Sequence, residues 1–511
     1  MTDPFILAID QGTTNTKAIL VNAAGAVAAE ASVRVQLEFP RPGWVECDAR
    51  ALWQTVQAAA GTALAKLDRP TVAAIAVANQ RESVVAWDRR TGEPLGPCIS
   101  WQCRRTASAC DELRERGHEA RLRQRTGLSI DPTFSATKAR WLLDRIEDAD
   151  ARTRRGELCL GTVDSWILWN LSGGATFATD LTNASRTQLL DLDRLAWDPE
   201  LLDLFGIPEP VLPGIRGSSA RLGSVADGST IPAGIPIAAA IGDSHAALFG
   251  HGGPEPGAVK ATYGTGTSLM APIEHPVRAA DLTTTIAWSI EPPDRAGQIE
   301  ARYALEGNIT ATGAALEWVA SLLRLPGGEE ELTRLAATVE DSAGVCLVPA
   351  FAGLGAPYWD ADARGSITGI TRGTTSAHLA RAAIHSIACQ VRDLLDVLLA
   401  ASPTQPMQLL ADGGAMRSDM LAQTQADLLR LPVWRAQSGT LAALGAAYLA
   451  GLATGLWASV DDIRRLPRRY DRFEPGADPG AIEATYRAWR AAVRRTLSRP
   501  EAGRTTVGTE A

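Results

Sequence analysis

Twice along this chain a short apolar run rises to a polar, glycine-bearing tip and returns as a second apolar run. The first copy spans Phe5 to Val21, FILAIDQGTTNTKAILV, and the second spans Val259 to Met270, VKATYGTGTSLM. Apolar runs of strand length on either side of Gly and Thr predict two β-hairpins. A tight glycine turn lets backbone N–H groups approach an anion, and at the first tip the hydroxyls of Thr13 and Thr14 and the Lys17 ammonium add donors and charge. Both tips are of a size to cradle phosphate, although an ordinary polar hairpin competes with that reading for either tip alone. Asp10, at the end of the first strand, would repel a phosphate; a carboxylate there suits a Mg2+ held through water. A third junction, QLLADGGAMRSDML, carries an apolar strand into Gly413 and Gly414 and then a helix capped by Ser418 or Asp419, which permits an adenine or ribose to lie against backbone.

At 511 residues, 46% of them apolar, the chain should divide into two large domains or more. The Pro/Gly-rich stretch GHGGPEPG, residues 250–257, suits the junction. The expected division is residues 1–250, residues 251–500 and a frayed tail over 501–511. VAAIAVANQRESVVAWD reads as strand, turn, strand, and helices are expected near Leu52–Leu67, Lys138–Ile146, Ala377–Leu399 and Leu421–Leu429, so the architecture is mixed α/β. A net charge of −8 opposes nucleic-acid binding. The arginines at 464, 465, 468 and 469 are flanked by Asp461, Asp462 and Asp471 and read as a solvated face. Seven cysteines without paired C-x-x-C spacing, Cys98, Cys103 and Cys110 among them, suit reduced thiols in a cytosol. No basic, signal-like segment precedes the first strand. The apolar stretch Leu441–Trp457 is shorter than the roughly 20 residues a bilayer span needs and reads as a buried core helix.

The order strand-Asp-Gly-Thr, then Gly-Thr-Gly, then Asp-Gly-Gly resembles the phosphate and adenosine motifs of the actin/hexokinase/Hsp70 superfamily. The segments PGWVECDA, NQRE, WQCRR, TGLSIDP, GTVDSWILW, TDLTNASRT, VPAFAGLGAPYWDADARG and DGGA resemble the FGGY carbohydrate kinases, glycerol kinase-like branch, over residues 6–455. The resemblance implies two ribonuclease H-like, actin/hexokinase-type domains around a central cleft. It further implies ATP and Mg2+ as cofactors and transfer of the γ-phosphate to a terminal hydroxyl of a small polyol or ketose. Thr13, Thr14, Asn15 and Lys17 then contact nucleotide phosphates, Lys17 standing where the branch carries Arg, and Thr265, Gly313 and Gly414 match further nucleotide positions. Glu317 and Ser418 replace the usual Gln and Asn. Asp243, in IGDSHAALFG, matches the catalytic aspartate, and Asp10 and Asp243 would serve the metal. Relatives are often dimers or tetramers, an expectation for this chain by resemblance alone.

Arg81, Glu82 and Trp101 match substrate-holding positions; an isolated Arg-Glu dipeptide would otherwise read as a surface ion pair. Three pocket positions depart from the branch: Thr133 replaces Tyr, Ser244 replaces Gln and Ser268 replaces Phe. Smaller side chains there imply a substrate longer than glycerol, a four- or five-carbon polyol or ketose, with Thr133, Ser244 and Ser268 donating to its extra hydroxyls. The loop VADGSTIPAG lacks the basic residue with which some relatives bind an inhibitory sugar bisphosphate, so no such feedback is expected. Adjacent Asp243, Ser244 and His245 cannot converge on one atom as a hydrolytic triad. A non-catalytic nucleotide-dependent sensor would have no use for the Asp243 base, and a DNA-binding regulator has no room for a recognition helix before Phe5. Gly353 to Gly355 is a candidate hinge.

Overall fold

The computed structural model describes residues 4–498 except 280, 293, 294, 296, 361 and 403. The expected tail over 501–511 lies outside the described residues. Ile6, Leu7, Ala8 and Ile9 are all fully buried, so the opening strand Phe5–Gln11 is covered on both faces and reads as a continuous apolar run rather than an alternation. It pairs antiparallel with Asn15–Val21 in the expected hairpin. The second hairpin forms equally, from Ala258–Tyr263 and Thr267–Ile273.

Both hairpins belong to one thirteen-stranded mixed sheet among the described residues. From one edge its order is Tyr470–Phe473, Val433–Ala436, Gln408–Asp412, Ala258–Tyr263, Thr267–Ile273, Glu300–Ile309, Thr283–Ile290, Ser219–Ser224, Pro236–Gly242, Val72–Asn79, Phe5–Gln11, Asn15–Val21 and Val27–Arg34. Each hairpin therefore has a parallel strand on one side and an antiparallel strand on the other within its own half, and the halves join in the sheet at the single pairing of Ser219 with Ile290. Val84–Asp88 leaves this sheet for a separate four-stranded one. The turn between it and Val72–Asn79 is thus a crossing point between sheets, not a hairpin.

The expected helices are Ala49–Leu64, Ser135–Leu143, Ser376–Ala401 and Asp419–Leu429. Asp48 caps the first, its carboxylate accepting from the Arg50 N–H at 2.7 Å, which satisfies one of the free amides at a helix start. Leu441–Thr454 is the core helix anticipated from its composition. Ala446, Tyr448 and Leu449 share a core with Ile6, Ala8 and Ile19, so a segment from the second half packs on the first half's sheet. A Cβ at Gly445 would come 1.8 Å from the Ala246 carbonyl, so only glycine allows this approach to the helix Asp243–Gly250. Arg464, Arg465 and Arg469 are exposed, and the first two pair with Asp461 and Asp462, as a solvated face requires; Arg464 and the half-buried Arg468 also reach inward. They donate to the carbonyls of Gly253 at 3.1 Å and Gly250 at 3.2 Å, because the glycine-rich connector leaves carbonyls without partners in a regular element. All seven cysteines are free thiols, and among the described residues no helix is long and apolar enough to cross a membrane.

Candidate active site

The first-half sheet brings two carboxylates to one edge. Asp10 lies in register with Ala78, and Ala78 with Ile241, two residues before Asp243 opens its helix. Desolvation pushes the Asp10 carboxyl up to about 7, the Asp243 carboxylate adds to the rise, and Lys17 on the paired strand opposes it. Desolvation raises Asp243 as well, against the pull of the Arg81 guanidinium. Two close, desolvated carboxylates are an arrangement that a divalent cation relieves. Among the described residues no cluster of three or more His, Cys, Asp or Glu could hold a metal. The pair therefore fits an ion such as Mg2+, which keeps its waters and takes further ligands from phosphates.

Beside Asp243 lies a lattice of charges that the sequence did not reveal. Arg81 Nε is 3.4 Å from Asp243 and 4.0 Å from Glu82, while Arg81 Nη1 donates to Glu306 at 2.8 Å. Arg186 Nε donates to Glu82 at 2.6 Å, and its Nη1 is 2.5 Å from Glu306. Glu82 is 4% exposed, Arg186 2% and Glu306 0%, so the surface ion pair that an isolated Arg-Glu dipeptide suggests is overturned. Buried charges survive only when paired, and the two guanidiniums hold Glu306 well below the usual carboxylate range although burial opposes them. Glu82 sits at φ 62, a backbone conformation costly for a residue with a side chain and frequent at functional sites.

The other predicted substrate residues lie around this lattice. The Trp101 indole N–H donates to Thr13 Oγ1 at 2.9 Å, tying this ring to the first hairpin tip. Ser268 donates its hydroxyl proton to Glu306 at 3.2 Å. It offers lone pairs inward instead of the proton expected of it, because the buried carboxylate is the stronger acceptor. The Ser244 N–H donates to Asp243 Oδ1 at 2.6 Å, and its carbonyl takes Lys260 Nζ at 3.4 Å. Thr133 is half-buried, its N–H given to Asp131 at 2.8 Å and its carbonyl to Lys138 Nζ at 2.6 Å. His245 is fully buried beside Thr285 Oγ1 at 3.2 Å, and burial pushes its imidazole toward the neutral form.

On the nucleotide side, the first tip closes with the Gly12 N–H on the Asn15 carbonyl at 2.9 Å, leaving Thr14 and Asn15 exposed. Lys17 Nζ donates to the Gly439 carbonyl of the other half at 2.8 Å. The second tip receives a helix start: the N–H groups of Thr312 and Ala314 reach the Thr265 carbonyl at 2.8 and 3.2 Å, and that of Gly313 reaches Gly264 at 3.0 Å. A Cβ at Gly313 would come 2.7 Å from the Gly264 carbonyl. Gly413 has φ 101 and its Cβ would come 2.3 Å from the Tyr263 carbonyl, whereas a Cβ at Gly414 would meet nothing within 4 Å. Gly413 makes the turn, and Gly414 faces open space. Of the two cap candidates, Ser418 is the one used, accepting from the Leu421 N–H at 3.2 Å. Glu317 is exposed on the helix Gly313–Leu322; burial raises the Glu329 carboxyl, and the charge of Glu317 adds to that rise.

A glycine-tipped hairpin in each half with a parallel strand on one side, a helix start on the second tip and a carboxylate pair at the edge of the first are the layout of an actin/hexokinase-type fold suited to phosphoryl transfer. The model of the FGGY family of carbohydrate kinases, N-terminal domain, matches residues 5–250, and that of the C-terminal domain matches residues 259–454. An apulose kinase of Pectobacterium atrosepticum is 46% identical over 98% of this chain and 100% of its own length. A glycerol kinase of Stenotrophomonas maltophilia is 45% identical over 98% and 99%. Among solved structures, Plasmodium falciparum glycerol kinase with ADP superposes with a TM-score of 0.90 at 31% identity, covering 97% of this chain and 99% of that one. The chain belongs to the FGGY family of carbohydrate kinases, and its activity is phosphoryl transfer to an alcohol group of a polyol or sugar.

Proposed function

We propose that the protein is an ATP-dependent kinase acting on a terminal hydroxyl of a four- or five-carbon polyol or ketose rather than glycerol, apulose being one member of that class. The observation that carries this reading is Ser268, a small hydroxyl held by Glu306 within the Arg81–Asp243 lattice. Thr133 as a second small residue, where the resemblance has Tyr, supports a substrate with carbons beyond three.

In this reading Asp243 accepts the proton of the attacking hydroxyl. Arg81 and Glu82 grip neighbouring hydroxyls, Trp101 packs on the carbon chain, and Ser244 lines the pocket beside the base. Thr13, Thr14, Asn15 and Lys17 bind phosphates from the first half, Lys17 exchanging its Gly439 bond for them. Thr265 and Gly313 bind from the second half, while Gly414, Glu317 and Ser418 surround the nucleoside. Asp10 and Asp243 would hold Mg2+, which when bound neutralises charge on the transferring phosphoryl group. Domains 1–250 and 251–500 close to exclude water, so that ATP is not hydrolysed unproductively.

The test is a panel of glycerol, erythritol, erythrulose, xylitol, xylulose, ribulose and apulose with Mg-ATP. The highest kcat/KM is expected among the four- and five-carbon compounds. A kcat/KM for glycerol above all of them refutes the size assignment.

A further inference from the structure

Four strands of the second half place one polar residue each in a single cross-strand row. Asp412 pairs with Thr262, Thr262 with Ser268, and Ser268 with Asn308. Residues paired across neighbouring strands share a face, as do residues two apart along one strand. Glu306, two residues before Asn308, therefore points the same way, toward Arg81 and Ser268. Exposure rises along the row from Asp412 through the half-buried Thr262 and Ser268 to Asn308, which is open. The Asn308 carboxamide makes no hydrogen bond to the protein among the described residues. Its backbone is fixed from outside, since a Cβ at Gly355 would come 3.0 Å from the Asn308 carbonyl. Asparagine is poorly suited to a strand, and nothing in the fold engages this one.

We propose that Asn308 is a specificity-determining residue. With Ser268 directly across the strand pair, its carboxamide binds a substrate hydroxyl or carbonyl beside Ser268. The inference rests on the reading of the pocket as one for a four- or five-carbon substrate. Ser268 has committed its proton to Glu306, so it can only accept from a substrate hydroxyl, whereas Asn308 both donates and accepts. Together they read a hydroxyl in both directions, or a ketose carbonyl through the amide N–H. Cross-strand Cβ atoms lie about 4.5–5.5 Å apart, a span that one oxygen-bearing carbon can bridge. Glycerol offers three oxygens, so once Arg81, Glu82 and Asp243 engage them none is left for this row, whereas a longer substrate keeps one.

The experiment measures kcat and KM for glycerol and for xylulose, ribulose and apulose with the full-length wild type, Asn308→Ala and Asn308→Ser. A site built to bond a substrate hydroxyl discriminates strongly when the bond is lost. Asn308→Ala is therefore expected to lower kcat/KM for the best five-carbon ketose about tenfold more than for glycerol, mainly through KM, with Asn308→Ser recovering part of the loss. An equal fall for all substrates indicates a merely structural role and overturns the proposal, as does an unchanged ratio. If the wild type itself favours glycerol, the size assignment falls and this inference with it. If the wild type favours a longer substrate while the Asn308→Ala ratio is unchanged, only the role of Asn308 falls.

Discussion

Arg186→Met tests whether the buried charges beside Asp243 act as one unit. Arg186 is 2% exposed and serves two carboxylates, Glu82 at 2.6 Å and Glu306 at 2.5 Å. Methionine retains much of the apolar stem and removes the charge. Glu306 then keeps Arg81 at 2.8 Å, but the ion-pair partner left to Glu82 is Arg81 Nε at 4.0 Å, which Asp243 already shares at 3.4 Å, with the buried Lys138 ammonium acting on it beyond contact distance. Glu82, 4% exposed, becomes a nearly uncompensated buried anion. Removing one partner of a buried pair costs ~3–5 kcal/mol, because the other charge remains desolvated. The guanidinium also lies 5.1 Å from the Phe134 ring, a contact worth about 0.5–2 kcal/mol. The expected loss in urea unfolding, followed by tryptophan fluorescence, is thus ~3–5 kcal/mol or slightly more. The Glu82→Gln/Arg186→Met double variant should lose less than the sum of the singles by over about 1 kcal/mol, since neutralising Glu82 removes the stranded charge. Stability within about 1 kcal/mol of wild type for Arg186→Met, or strict additivity, would refute the lattice as the basis of local order.

The base works in its ionised form, and desolvation raises Asp243 above the ordinary carboxylate range. At limiting Mg2+, kcat/KM should therefore rise with pH along a limb above about pH 4, and saturating Mg2+ should shift that limb to lower pH; Asp243→Asn should lower kcat by about 10²–10⁴-fold. A wild-type profile flat down to about pH 4 contradicts this. Neighbouring glycines should respond oppositely to alanine. Gly413→Ala forces a Cβ to 2.3 Å from the Tyr263 carbonyl at φ 101 and should lower the thermal midpoint, while Gly414→Ala, with nothing within 4 Å, should raise the KM for ATP at an unchanged midpoint. Identical behaviour of the two variants in thermal shift and kinetics rejects that division of roles.

What could be read from the sequence is what its local spacing encodes. Gly12 with Thr13 and Thr14, Gly264 with Thr265, and Gly413 with Gly414 announce turns because glycine is needed where backbone comes close, and each turn stands at its expected strand end. The composition of Leu441–Thr454 marks a core helix, yet nothing in it says that Gly445 must meet the Ala246 carbonyl. The charge lattice was illegible for the same reason: Arg81 and Arg186 stand in turns and Glu306 on a strand far along the chain, and only the tertiary fold joins them. One local sign existed. Glu306 interrupts an apolar strand, RYALEGNI, and a carboxylate in such a place must be paired if it is buried; the same segment carries Asn308 two residues on, on the same face. Pocket chemistry in this fold is therefore encoded by polar exceptions within strands, and the register that gathers them decides which substrate they can read.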